Sequence, residues 1–157
     1  MPPPAISQIT AHHFSVSVPD LEAAIDWYSD IFGFVVEARF SVDAIPAKAA
    51  FLRSPAIRLE LWQAQGSAPV PEERRTPNSD LKTCGTKHIA FAVFDLQGYL
   101  GELIRRGVEI AAVQRHPTEP MQPDTNPLAA GKPPAFAAFI RDPAGTLIEL
   151  IDQQPPH

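Results

Sequence analysis

HFSVSVPDLEAAIDWYSDIFGF (residues 13–34) and HIAFAVFDLQGYLGELIRRGV (residues 88–108) are one pattern written twice, each with a histidine seven residues ahead of an Asp-Leu pair. In the first copy Phe14, Val16 and Val18 alternate with His13, Ser15 and Ser17, the period of a half-buried strand. In the second, Ile89, Phe91 and Val93 alternate with His88, Ala90 and Ala92. The histidine face of each strand therefore carries only small neighbours, which leaves room above it. Asp20 and Asp95 suit helix N-caps, and the apolar residues after them (Leu21, Ala24, Ile25, Tyr28 and Phe32; Leu96, Tyr99, Leu100 and Leu103) recur at helical spacing. Gly33 and Gly107 suit left-handed helix stops.

Further along, AAFLRSPAIRLEL (49–61) aligns with AAFIRDPAGTLIEL (137–150) through one inserted residue. Two blocks repeated in the same order indicate a duplicated unit, a feature to be tested before any other fold assignment. Strands are expected at 34–40, 47–52 and 57–63, with counterparts at 108–113, 135–140 and 146–151, so each unit reads βαβββ. The predicted class is α+β: two tandem βαβββ modules forming a concave mixed sheet around a shared metal site. Fourteen of the 18 prolines fall at 2–4, 69–77, 117–134 and 155–156, marking a frayed start, a linker, a long loop and a tail. The expected domains are module 1 at 8–64, a Pro-rich linker at 65–82 and module 2 at 83–153.

Composition narrows the function. A formal charge of -5 offers no basic stripe for phosphates, which argues against nucleic acid. Cys84 is alone, so neither an intramolecular disulfide nor a thiolate metal site can be built. Residues 1–9 lack the basic and apolar regions of a secretion signal, and no apolar run is long enough to span a bilayer. The expectation is a cytoplasmic protein without membrane or nucleic-acid partners.

Any metal must then use histidine and carboxylate. Glu60 shares a strand face with Arg58 and Trp62, and Glu149 shares one with Leu147 and Ile151. A half-buried carboxylate is costly unless it is hydrogen-bonded, paired or metal-bound. His13, Glu60, His88 and Glu149, recurring at equivalent places in a duplicated unit, supply four N and O ligands for one divalent ion. Two neutral imidazoles and two carboxylates balance a dication. Octahedral geometry would leave two adjacent positions for a substrate with neighbouring oxygens, whose polarised carbonyl makes the adjacent C–H a feasible acid.

On these residues the chain resembles the vicinal oxygen chelate superfamily in its two-module form, over nearly all of residues 8–153. WYSDIFGF (27–34) is similar to the family's F-Y-x-x-x-L-G-F, and RDPAGTLIEL (141–150) to its D-P-x-G-x-x-I-E-L ending. By that resemblance Glu149 is the closing metal ligand, and Glu60 matches the fourth ligand of glyoxalase I and methylmalonyl-CoA epimerase-like members. The resemblance implies a metal-dependent lyase or isomerase in which Glu60 or Glu149 moves a proton. It also implies one divalent ion (Ni, Co, Zn, Mn or Fe), a small-molecule substrate with neighbouring oxygens, and a homodimer. Two alternatives stay open. One is an Fe(II)-dependent extradiol-type ring-cleaving dioxygenase using His13, His88 and Glu149; the other is a small-molecule-sequestering resistance protein.

The remaining candidates have plainer readings. Alternation points His12 away from His13, so it is not expected to be a ligand, and a helix-side or surface role is expected. His116 sits in the 114–134 loop, where exposure is the default and a lid contact the sharper alternative. Trp62, Phe136 and Phe139 are either core or pocket lining. Arg53 and Arg141, paired by the repeat, are expected to bridge nearby carboxylates.

Overall fold

Asp20 accepts a hydrogen bond from the Ala23 amide, and Asp95 accepts one from the Gly98 amide, so both helices begin on the aspartates expected to cap them. The computed structural model describes residues 10–153 and divides between Ser67 and Ala68 into two units. The expected leader-free segment 1–9, the first two residues of the expected module 1 and the proline tail at 155–156 lie outside the described residues. The first unit runs β1 (Phe14–Ser17), α1 (Leu21–Phe32), β2 (Val35–Val42), β3 (Ala47–Arg53) and β4 (Arg58–Ala64). The second runs β5 (Ile89–Val93), α2 (Leu96–Arg105), β6 (Ile110–Gln114), β7 (Ala137–Arg141) and β8 (Leu147–Asp152). The fold is α+β with two βαβββ modules, and each module has a mixed four-stranded sheet of its own.

The sheet orders are β1-β4-β3-β2 and β5-β8-β7-β6, with the first strand of each unit parallel to its last and the remaining pairs antiparallel. A parallel pair needs a long crossover, and the helix and intervening strands supply it. The repeat reaches the irregularities: β2 has a register shift between Val36 and Ala38, and β6 has one between Ile110 and Ala112. Observed strands begin or end one or two residues from their expected limits, where side-chain pattern and hydrogen bonding diverge.

The helix-facing side of each sheet is the core. Leu21, Ala24, Ile25 and Tyr28 of α1 are buried, as are Val16, Leu52, Leu59 and Leu61 of its sheet. Leu96, Leu100 and Leu103 of α2 are likewise buried with Ile89, Ile148 and Leu150. Gly33 closes α1 at φ 70, a left-handed conformation that a Cβ disfavours, and its amide donates to the Ser29 carbonyl. Among the described residues, no helix is long and apolar enough to cross a membrane.

Residues 68–82, expected as part of a linker, belong to the second unit and are tied to it. A single 3-10 turn spans Glu72–Arg74. Lys87 Nζ donates to the Asp80 carbonyl and carboxylate at 2.8 and 3.1 Å. Arg141 Nε donates to the Arg75 carbonyl at 2.6 Å. Gly145 has φ +93, a backbone conformation that favours glycine, and a Cβ there would also come within 3.0 Å of Arg75 Nε, which would have to shift.

The long 114–134 segment is pinned by polar bonds. Asp124 accepts from Arg115 Nη2 at 2.8 Å, Lys132 Nζ at 2.7 Å and the Asn126 amide at 2.9 Å. Arg115 also donates to the carbonyls of Pro127 and Pro133. Gln114 Nε2 holds the Glu119 carbonyl at 2.6 Å, and Val113 forms an isolated bridge with Gln122. Prolines cannot donate, so these side chains take over the bonding that a regular element would provide.

Leu61 and Leu150 occupy equivalent register positions and are both 0% exposed. Leu61→Ala and Leu150→Ala should each destabilise the protein by about 2–5 kcal/mol, read from the midpoint of urea unfolding. A second prediction concerns the loop. The Lys132 and Arg115 bonds hold the Asp124 carboxyl down to about 2. A carboxyl depressed by folding contributes fully above its ordinary value and loses that contribution as pH falls through the depressed one. The amide protection factors of residues 115–133, taken relative to the intrinsic exchange rate at each pH, should therefore be high at neutral pH and fall as pH drops from about 4 through about 2. In Asp124→Asn the protection should be low at every pH.

Candidate metal centre

The parallel register places Ser15 opposite Glu60 and Ala90 opposite Glu149. Both small residues leave the carboxylate free to reach diagonally to the histidine two residues earlier. His13 Nε2 lies 3.5 Å from Glu60 Oε2, and His88 Nε2 lies 3.0 Å from Glu149 Oε2. Exposure matches as well: each histidine side chain is 32% exposed, and the glutamates only 14% and 18%. A third residue recurs with them. Phe51 pairs with Glu60 across β3–β4 and Phe139 pairs with Glu149 across β7–β8. Each phenyl meets its histidine edge to face, with ring centroids 5.3 and 5.0 Å apart.

Each unit thus builds the same histidine-glutamate-phenylalanine cluster on the sheet face opposite its helix. The glutamates are largely withdrawn from water, and the structure gives each one a single polar partner among the described residues, its histidine. That is a poor equilibrium for a carboxylate without a further cation. Imidazole nitrogen and carboxylate oxygen suit a divalent ion, and both histidines direct Nε2 at the carboxylate, so the residues fit a metal. Within each unit, among the described residues, no third His, Cys, Asp or Glu completes a metal-holding group. Each unit therefore offers half of the expected ligand set.

Beside the cluster the two units differ. Phe40 stacks on Phe51 at 5.5 Å and meets Trp62 edge to face at 5.3 Å, forming an aromatic surface next to His13. The register-equivalent positions in the second unit are Gln114 and Ile151. Trp62 thus lines the histidine face. Phe139, 3% exposed, is buried, whereas Phe136 is exposed and edges a separate cleft of about 390 Å³ with Gln97, Arg115 and Asp152. Asp152 Oδ1 is buried with no hydrogen-bond partner among the described residues.

His12 is at the surface, as expected, but it does not turn away from His13. Strand alternation was expected to separate it from His13, but β1 begins at Phe14 and both histidines precede it, so the alternation does not govern them. Their Nδ1 atoms are 2.7 Å apart and share a hydrogen bond. His12 also lines a cleft of about 290 Å³ with Arg53, Ser54 and Arg58. There Arg58 makes two bonds to Glu37, at 2.7 and 3.0 Å, which lower the Glu37 carboxyl below its ordinary range. Among the described residues Arg53 makes no carboxylate ion pair, whereas Arg141 also lies 3.5 Å from Glu109. The expected carboxylate bridge is thus present for Arg141 only. His116 is exposed, and its Nδ1 bonds Thr118 Oγ1 at 2.8 Å, a local turn contact.

If the glutamates are poorly placed without a cation, neutralising them should not harm the metal-free fold. Glu60→Gln and Glu149→Gln are expected to unfold at or above the wild-type temperature when stripped of metal, checked by calorimetry in chelator. A clear drop in either would make the carboxylates structural.

The model of the Glyoxalase/Bleomycin resistance protein/Dioxygenase superfamily matches residues 10–150. An uncharacterised protein of Escherichia coli K12, YaeR, is 24% identical over 143 residues, covering 90% of this chain and 95% of YaeR. The crystal structure of a glyoxalase family protein from Enterococcus faecalis superposes with a TM-score of 0.70 at 18% identity, covering 94% of this chain and all of that one. The trypanothione-dependent glyoxalase I of Leishmania major gives a TM-score of 0.62 at 23% identity, covering 92% and 87%. At these identities the structural matches speak for the fold.

Proposed function

Because the chain belongs to the Glyoxalase/Bleomycin resistance protein/Dioxygenase superfamily, we propose that it is a divalent-metal-dependent lyase or isomerase with His13, Glu60, His88 and Glu149 as the metal ligands. The observation that supports this reading is the recurrence of the same cluster in both units. Glu60 stands to His13 as Glu149 stands to His88, down to the phenylalanine beside each histidine. A three-ligand oxygenase or a metal-free sequestering protein has no need of Glu60 in that place.

A divalent ion held by these residues supplies Lewis acidity toward two adjacent oxygens of a small substrate. The histidines contribute neutral nitrogen donors, which leaves the two carboxylates to set the charge balance. Either glutamate can take a proton from the carbon beside the substrate carbonyl and return it to the neighbouring position, with no net redox change. The aromatic surface of Phe40, Phe51 and Trp62 excludes water on one side of His13. The working form of this reading is a homodimer, to be checked by light scattering.

Elemental analysis of untagged protein should find a divalent transition metal, reduced by substitution of any of the four ligands. Solvent-deuterium incorporation into a panel of 2-oxo and 2-hydroxy carbonyl compounds, followed by NMR, should identify the substrate. On that substrate Glu60→Gln and Glu149→Gln are expected to lose about 10²-fold or more in turnover, with wild-type activity unchanged under anaerobic conditions. Full turnover in both variants would sink the proton-transfer reading, and activity lost without oxygen would replace it with ring cleavage.

A further inference from the structure

We propose that His12 is a positioning residue: it accepts the Nδ1 proton of His13 and so holds that ring in the tautomer whose Nε2 lone pair is free for a metal. The inference rests on the metal-site reading above. A neutral imidazole carries one proton, and the 2.7 Å contact between the two Nδ1 atoms requires that one ring donate and the other accept. If His12 donated, the His13 proton would sit on Nε2 and point at Glu60. That separation is 3.5 Å, beyond the usual hydrogen-bond range, whereas the corresponding His88–Glu149 contact is a hydrogen bond at 3.0 Å. The geometry of the first unit therefore matches a proton on His13 Nδ1, with His12 accepting and carrying its own proton on Nε2. Ligating histidines generally donate their second ring nitrogen to an acceptor, which fixes both tautomer and ring angle.

The second unit lacks this device. The residue at the position of His12 is Lys87, whose ammonium has no acceptor atom and is turned into the preceding segment, where it donates to Asp80 and Thr83. His13 is thus pre-set as a ligand before metal arrives, while His88 must first give up its bond to Glu149. The two halves of a duplicated site have unequal readiness, and His12 is the source of the difference.

Two measurements test this. Long-range nitrogen–proton spectra of metal-free, nitrogen-15-labelled protein should show His13 protonated at Nδ1, and His12→Phe should shift it toward Nε2. Zinc affinity, measured by competition with a chromophoric chelator, should weaken about 10- to 100-fold in His12→Phe. His12→Asn, whose amide oxygen can replace the acceptor, should recover much of it, and Lys87→Ala should not change it. Wild-type His13 protonated at Nε2, or His12→Phe binding zinc as tightly as wild type, would overturn the proposal. A wild-type protein that takes up no zinc, nickel, cobalt, manganese or iron would instead sink the metal reading, and the tautomer spectra would still decide the role of His12.

Discussion

The parallel pairing of the first and last strands within each unit is the constraint on which the rest depends. It joins residues far apart in sequence, such as Ser15 with Glu60 and Ala90 with Glu149, so its loop-closure entropy must be recovered by burial elsewhere. The helices perform that recovery by covering the apolar side of each sheet. The opposite face then needs only small residues beside the histidine, and the carboxylate of the last strand comes within reach of the imidazole. A slip of one residue in this register would send both glutamates into the leucine core.

Duplication explains why the same chemistry appears twice, and its later divergence explains why the two copies are unlike in detail. Histidine, glutamate and the edge-on phenylalanine recur, as does the register shift in the second strand of each unit. Around them the positions have drifted: Phe40 against Gln114, Trp62 against Ile151, His12 against Lys87. Shared positions answer to a common demand of the cluster. The drifted ones give the first unit an aromatic flank and a second imidazole, and give the second unit a pinned segment before its first strand.

Several features could not be read along the chain because their partners are far away or because local pattern misleads. His12 was expected to face away from His13 by strand alternation, but alternation holds only inside a strand, and β1 starts after both histidines. The 114–134 segment looked open because its prolines exclude regular structure. Its order comes from Asp124 gathering Arg115 and Lys132, three residues with no periodic relation. The 65–82 stretch looked like a linker for the same reason, yet Asp80 and Arg75 bind it to side chains beyond position 86. Arg53 and Arg141, equivalent by repeat, part company: Arg141 comes within 3.5 Å of Glu109, whereas the carboxylate that feels the Arg53 charge, Glu37, is bonded by Arg58.

The sequence by itself determined the duplication, the βαβββ order, the helix caps and the choice of two histidines and two glutamates as the residues to watch. These follow from periodicity and turn chemistry, which act between near neighbours. Only the tertiary structure decided that each histidine meets its own unit's glutamate, that a phenylalanine stands edge-on beside each, and that His12 turns back onto His13. Those contacts depend on strand register and on side-chain direction at a strand end, neither of which local pattern specifies.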